Sequence, residues 1–88
     1  MKEITEEKLN KYIKLTEKAI KELENVNNKD ALILINMSKN YYKDALHFKE
    51  KNDFVNAFAA INYAHAFLDS AALLKLIKVK DNKLFMVD

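Results

Sequence analysis

His65 and Asp69 stand four residues apart, the spacing that brings two side chains together on one face of a helix. A carboxylate beside an imidazole orients the ring, as in a general base or a metal ligand. The same pair also reads as a histidine at the core boundary, satisfied by Asp69 or by a tyrosine hydroxyl across the fold. The second reading is the expectation, because the sequence places neither a nucleophile nor a second acid beside the pair.

Asp44 and His47, three apart, imitate the carboxylate-x-x-His spacing of di-iron bundles. A helical wheel turns both outward, and His47 falls about two turns out of level with His65. Such a site needs two further inward carboxylates, and the pattern offers none, so no metal and no cofactor are expected. Tyr41, Tyr42 and Phe48 would stack on bases only if exposed; their helical spacing assigns them to a core. Lys39, Lys43, Lys49 and Lys51 make one segment locally basic, but Asp44 and Glu50 intervene, which is the pattern of a solvated face.

The composition narrows the chemistry further. Among 88 residues there is no Cys, no Gly, no Pro and no Trp. Disulfide scaffolds, thiolate zinc sites and cysteine nucleophiles are excluded, as are the glycine loops that let backbone approach a phosphate. Charge is nearly balanced at +2, and all 15 basic residues are Lys. Without the forked guanidinium that supplies most bidentate phosphate and guanine contacts, a nucleic-acid partner is disfavoured. No stretch reaches the roughly 18 apolar residues of a membrane span, so no membrane association is expected. The opening Met1-Lys2-Glu3-Ile4 runs into an acidic amphipathic segment and not an apolar signal core, so the expected location is the cytoplasm.

Lack of Gly and Pro permits long helices, and the apolar spacing demands them. Leu9, Tyr12, Ile13, Thr16, Ala19, Ile20, Leu23 and Val26 recur by threes and fours, predicting a first helix over about 5–26 with Thr5 as its N-cap. Asn25, Asn27 and Asn28 mark a break, and Asp30 is the expected cap of a second helix over about 31–51, whose inward stripe is Leu34, Ile35, Ser38, Tyr41, Tyr42, Ala45 and Phe48. Asn52 suits a left-handed C-terminal turn, with Asp53 capping a third helix over about 54–77. That helix centres on Phe54, Phe58, Ile61, His65, Leu68, Ala72 and Leu76, beside a small-residue stripe of Ala57, Ala64 and Ala71. The prediction is an all-α, antiparallel up-down-up three-helix bundle over residues 1–78 with short loops, followed by a C-terminal apolar tail over 79–88.

The third helix has more apolar surface than such a bundle can cover. From Phe54 to Leu74 its single charge is Asp69, and Tyr63, Phe67, Ser70, Leu74 and Ile77 follow a 4-3-4-3 spacing on its outer side, the seam that helices offer to another helix. Leu32 and Ile33 in the second helix and Leu84 and Phe85 in the tail belong to the same end of the bundle. The expected cover is either the tail itself or a second subunit, the latter as a homodimer through the third helix.

The segment Tyr41-Tyr42-Lys43-Asp44-Ala45, then Phe48, Asn52-Asp53, Ala57-Phe58, Ile61, Tyr63-Ala64-His65 and Leu68-Asp69, with the ending Lys83-Leu84-Phe85-Met86-Val87, resembles an archaeal family of domains of unknown function, family 357 of its series. Where that family carries glycine, this chain has Asn52 and Ala66. The resemblance implies a small all-helical domain in an archaeal cytoplasm and assigns no catalytic residue. The hairpin is also similar to tetratricopeptide and HEPN-type hairpins. Tetratricopeptide units come in tandem, which this chain lacks, and HEPN nucleases use an Arg shortly before His, which an Arg-free chain cannot supply. The expected function is therefore a non-enzymatic protein–protein interaction or homodimerisation module. The alternative is a non-catalytic, HEPN-like accessory domain assisting a nucleotide- or RNA-handling enzyme through the lysines of the second helix.

Overall fold

Thr5 itself is extended, and its hydroxyl accepts a hydrogen bond from the Lys8 amide at 3.1 Å, so helix α1 (Glu6–Glu22) begins there with Glu6 and Glu7 at its positive end. The computed structural model of the chain describes residues 5–78; the segment carrying Leu84 and Phe85 lies outside the described residues. Helix α2 is Lys29–Glu50 and helix α3 is Phe54–Leu73. The three run up, down and up: Leu9 and Ile13 share one cluster with Ala45, Ala57 and Ile61, while Ala19 and Leu23 share another with Ala31, Ile35 and Ala71.

Each helix end has a local cause, and three differ from the sequence expectation by more than one residue. Helix α1 stops at Glu22 instead of Val26, because the Leu23 amide turns back to Ile20 and Lys21. The apolar rhythm continues through the turn, where Leu23 is buried and Val26 packs against the core, so periodicity alone overruns the helix. Asn28, not Asp30, caps α2: its side-chain oxygen accepts from the Ala31 amide at 2.9 Å, and Asp30 falls in the first turn. Helix α2 closes at Glu50, where Asn52 takes φ 58° and the amides of Asn52 and Asp53 bond to the carbonyls of Lys49 and Phe48, both at 2.9 Å. That paired closure is the Schellman turn. Asp53 then caps α3, accepting from Asn56.

The same closure ends α3 four residues earlier than expected. Lys75 adopts φ 59°, and the amides of Lys75 and Leu76 return to the carbonyls of Ala72 and Ala71, each at 3.0 Å. The chain doubles back, so Ile77 is buried in the cluster of Leu23, Ala31 and Leu68. Ile77 is therefore not part of the outward seam that its spacing suggests: beyond the turn, helical spacing no longer sets where a side chain points.

Ala57, Ala64 and Ala71 are fully buried, and this small stripe lets α3 lie closest to α2; α1 rests on the hairpin that they form. Between the two apolar clusters lie Thr16 and Ser38, 1% and 0% exposed. The Ser38 hydroxyl finds no hydrogen-bond partner among the described residues. No helix among them is long and apolar enough to cross a membrane.

Candidate functional site

The polar layer is where the sequence places its weak candidate, and the structure completes it with a residue from another helix. Thr16 of α1 brings its hydroxyl to 3.1 Å from His65 Nδ1, and His65 Nε2 lies 3.6 Å from the Asp69 carboxylate on the next turn of α3. With the proton on Nε2, one tautomer serves both neighbours: Thr16 donates to Nδ1 and the ring faces the carboxylate. His65 and Asp69 border a groove of about 220 Å³ between α1 and α3, also lined by Tyr12, Leu15, Thr16, Ile61, Asn62 and Ala66.

A hydroxyl, an imidazole and a carboxylate in line are the parts of an activated nucleophile. Here the hydroxyl is at the wrong depth. Thr16 lies at the floor of the groove but is only 1% exposed, and its Oγ1 is bonded to His65. The expected histidine partner was a tyrosine hydroxyl or Asp69. The structure supplies Asp69 and, instead of tyrosine, Thr16, a contact 49 residues apart in sequence.

Asp44 and His47 are both exposed on α2, and no group of three or more metal-ligating side chains occurs among the described residues. Tyr41, Tyr42 and Phe48 pack half-buried against the core cluster that contains Ala45 and Ile61.

Between α1 and α2 lies a second groove of about 270 Å³, lined by Glu17, Ile20, Lys21, Lys39, Tyr42 and Lys43. The Tyr42 phenol donates to Glu17 at 2.9 Å, and Lys21 lies 3.5 Å from the same carboxylate. The Tyr42 hydrogen bond, with Lys21 behind it, holds the Glu17 carboxyl below its ordinary range. Burial, then Glu17, pushes the phenol up to about 12. Lys39 and Lys43 have no carboxylate partner among the described residues.

The third candidate is the apolar outer side of α3. Tyr63, Ser70 and Leu74 are exposed. Phe67 is half-buried, stacked on Tyr41 of α2 with centroids 5.6 Å apart, and Tyr63 flanks the same ring at 5.5 Å. Leu32 and Ile33 are exposed in the first turns of α2, at the end where Leu73 and Leu74 are exposed on α3. Val55 and Leu46 are exposed too, and the seam count passes over both. It starts at Tyr63, and an isolated valine or leucine amid helical spacing reads as core.

No curated protein and no solved structure matches the chain. A family model matches residues 11–77, from the first turns of α1 to the buried Ile77, under the description "Protein of unknown function (DUF357)". With α2, α3 and most of α1 inside that match, the chain belongs to the DUF357 family.

Proposed function

We propose that this protein is a non-enzymatic interaction module of the cytoplasm, in an archaeal cell as the family resemblance implies, and that its working surface is the outer side of α3 with the adjoining edge of α2. One observation carries the reading. The 20-residue α3 and its C-cap expose Val55, Tyr63, Leu73 and Leu74 while carrying a single carboxylate, Asp69, which faces the α1 groove. Water is a poor neighbour for such a surface, whereas another polypeptide is a good one. The partner in this reading is a protein, with self-association as its simplest form. The polar layer supports the non-enzymatic part, since its hydroxyl is spent inside the fold on His65.

A photo-crosslinking residue in place of Tyr63, in the full chain and in its native cells, tests this. The expected product is a protein adduct, and none from the same residue in place of Lys18 on the exposed side of α1. No adduct at Tyr63, or equal yields at both positions, overturns the reading.

A specific observation favours one second reading, an accessory domain beside a nucleotide- or RNA-handling enzyme. Lys39 and Lys43 stand one turn apart without a carboxylate partner, facing Lys21 across the groove. A polyanion held there would lose affinity steeply as salt rises.

A further inference from the structure

The exposed positions of α3 form a pattern that reads the same in both directions. Val55, Ala59, Tyr63, Ala66, Ser70 and the C-cap Leu74 are all exposed, all uncharged, and spaced 4-4-3-4-4, and the exposed Asn56 and Leu73 of the same stripe mirror each other about the same centre. On a helix of 100° per residue they fall within one stripe about 100° wide, centred away from Phe58, Ile61 and His65, which meet α1, with Ala66 also at the rim of the α1 groove. Val55, Tyr63 and Leu74 are 69%, 59% and 66% exposed.

Resting on the interaction reading above, we infer that the partner is a second copy of this chain, docked α3 against α3, antiparallel, about a twofold axis between Ala64 and His65 in level. A twofold interface sets a surface against itself, so the residues along it must be palindromic in spacing and complementary in size across the centre. The register does both. Val55 meets Leu74 of the partner subunit, Ala59 meets Ser70 of the partner subunit, and Tyr63 meets Ala66 of the partner subunit, a large side chain over a small one. These are the knob-and-hole layers of an antiparallel helix pair.

Two further facts fit self-pairing. A charge near a twofold axis meets its own copy, and like charges across an interface are costly; this stripe carries none. Among its polar side chains, Ser70 is also settled internally. The Ser70 hydroxyl donates to the Ala66 carbonyl at 2.8 Å, and on the stripe's edge the Asn62 amide donates to the Phe58 carbonyl at 2.9 Å, so both donors already have partners when the face closes.

Because the chain contains no cysteine, introduced thiols report the register without background. Val55→Cys and Leu74→Cys full-length chains, mixed under a glutathione redox buffer, are expected to form the mixed disulfide at least about tenfold over either self-disulfide, since in the antiparallel pair the two Val55 positions lie about 28 Å apart along the axis. Sedimentation equilibrium of the unsubstituted chain is expected to give twice the chain mass, and Tyr63→Lys the single mass with unchanged helicity. A dominant Val55→Cys self-disulfide means parallel pairing and overturns the inference. So does a monomer at all concentrations, which leaves the face to residues 79–88 or to a different protein. The mass of the Tyr63 photo-adduct separates the two claims: an adduct heavier by something other than this chain sinks the second copy and keeps the interaction module, while no adduct sinks both.

Discussion

At the scale of single residues, Tyr42 links α2 to α1 through one proton. Its phenol reaches Glu17 at 2.9 Å and is pushed up to about 12, while Glu17 is held below its ordinary range. The signs give two pH windows. An unfolded chain ionises tyrosine near 10, so between about 10 and 12 it releases a proton that the folded chain keeps, and the contribution of Tyr42 to stability is lost as pH rises. Glu17 acts in the opposite sense: its contribution is present above 4.5 and is lost as pH falls, since the unfolded chain takes the proton first. Tyr42→Phe is expected to flatten both limbs of a denaturation-versus-pH curve. Ultraviolet titration of the unsubstituted protein should show one of its four tyrosines ionising near 12. Four tyrosines titrating together near 10 would mean that the contact does not hold in solution. Neither this pairing nor that of Thr16 with His65 is legible in the sequence. Each joins two helices whose relative rotation no single-helix period determines, and at the histidine the sequence offers tyrosine as readily as threonine.

At the scale of elements, the caps with side-chain signals are legible and those made by backbone alone are not. Thr5 and Asp53 accept from amides three residues ahead, as their types and places suggest. Asn52 takes the left-handed conformation that asparagine tolerates. Asn28 and Asp30 compete for one cap, and spacing alone does not separate them. Lys75 is the hard case: with Leu74, Leu76 and Ile77 around it, the pattern continues as helix, yet Lys75 sits at φ 59°. Holding a residue with a β-carbon there costs about 1–2 kcal/mol, set against burial of Ile77 and two returned carbonyls. Lys75→Gly removes that strain, and urea denaturation is expected to show a gain of about 0.5–1 kcal/mol. Asn52→Gly should gain less, because asparagine already tolerates the conformation. A loss of stability in Lys75→Gly would mean that the lysine side chain contributes more than the turn costs.

At the scale of the whole molecule, charge is laid out by helix. The lysines and glutamates of α1 and the mixed charges of α2 face water, while α3 has Asp69 alone. This asymmetry is visible in composition, since a helix apolar around its circumference must be covered on more than two sides. The register is not, until the fold shows that Phe67 leans on Tyr41 and that Ile77 turns inward. What remains outside is the palindromic stripe. If that stripe pairs with its own copy, folding and association share one equilibrium, and mass action makes stability depend on protein concentration. A hundredfold increase in concentration contributes about 1.4 kcal/mol per protomer through the dimer equilibrium, which for a chain of this size raises Tm by about 5–10 °C. Tyr63→Lys, which also removes the contact with the Tyr41 ring, should abolish that dependence while lowering the Tm at low concentration by only a few degrees. A Tm that does not move with concentration in the unsubstituted chain would mean that the bundle reaches its full stability alone, and α3 would then have to keep its oily side in water.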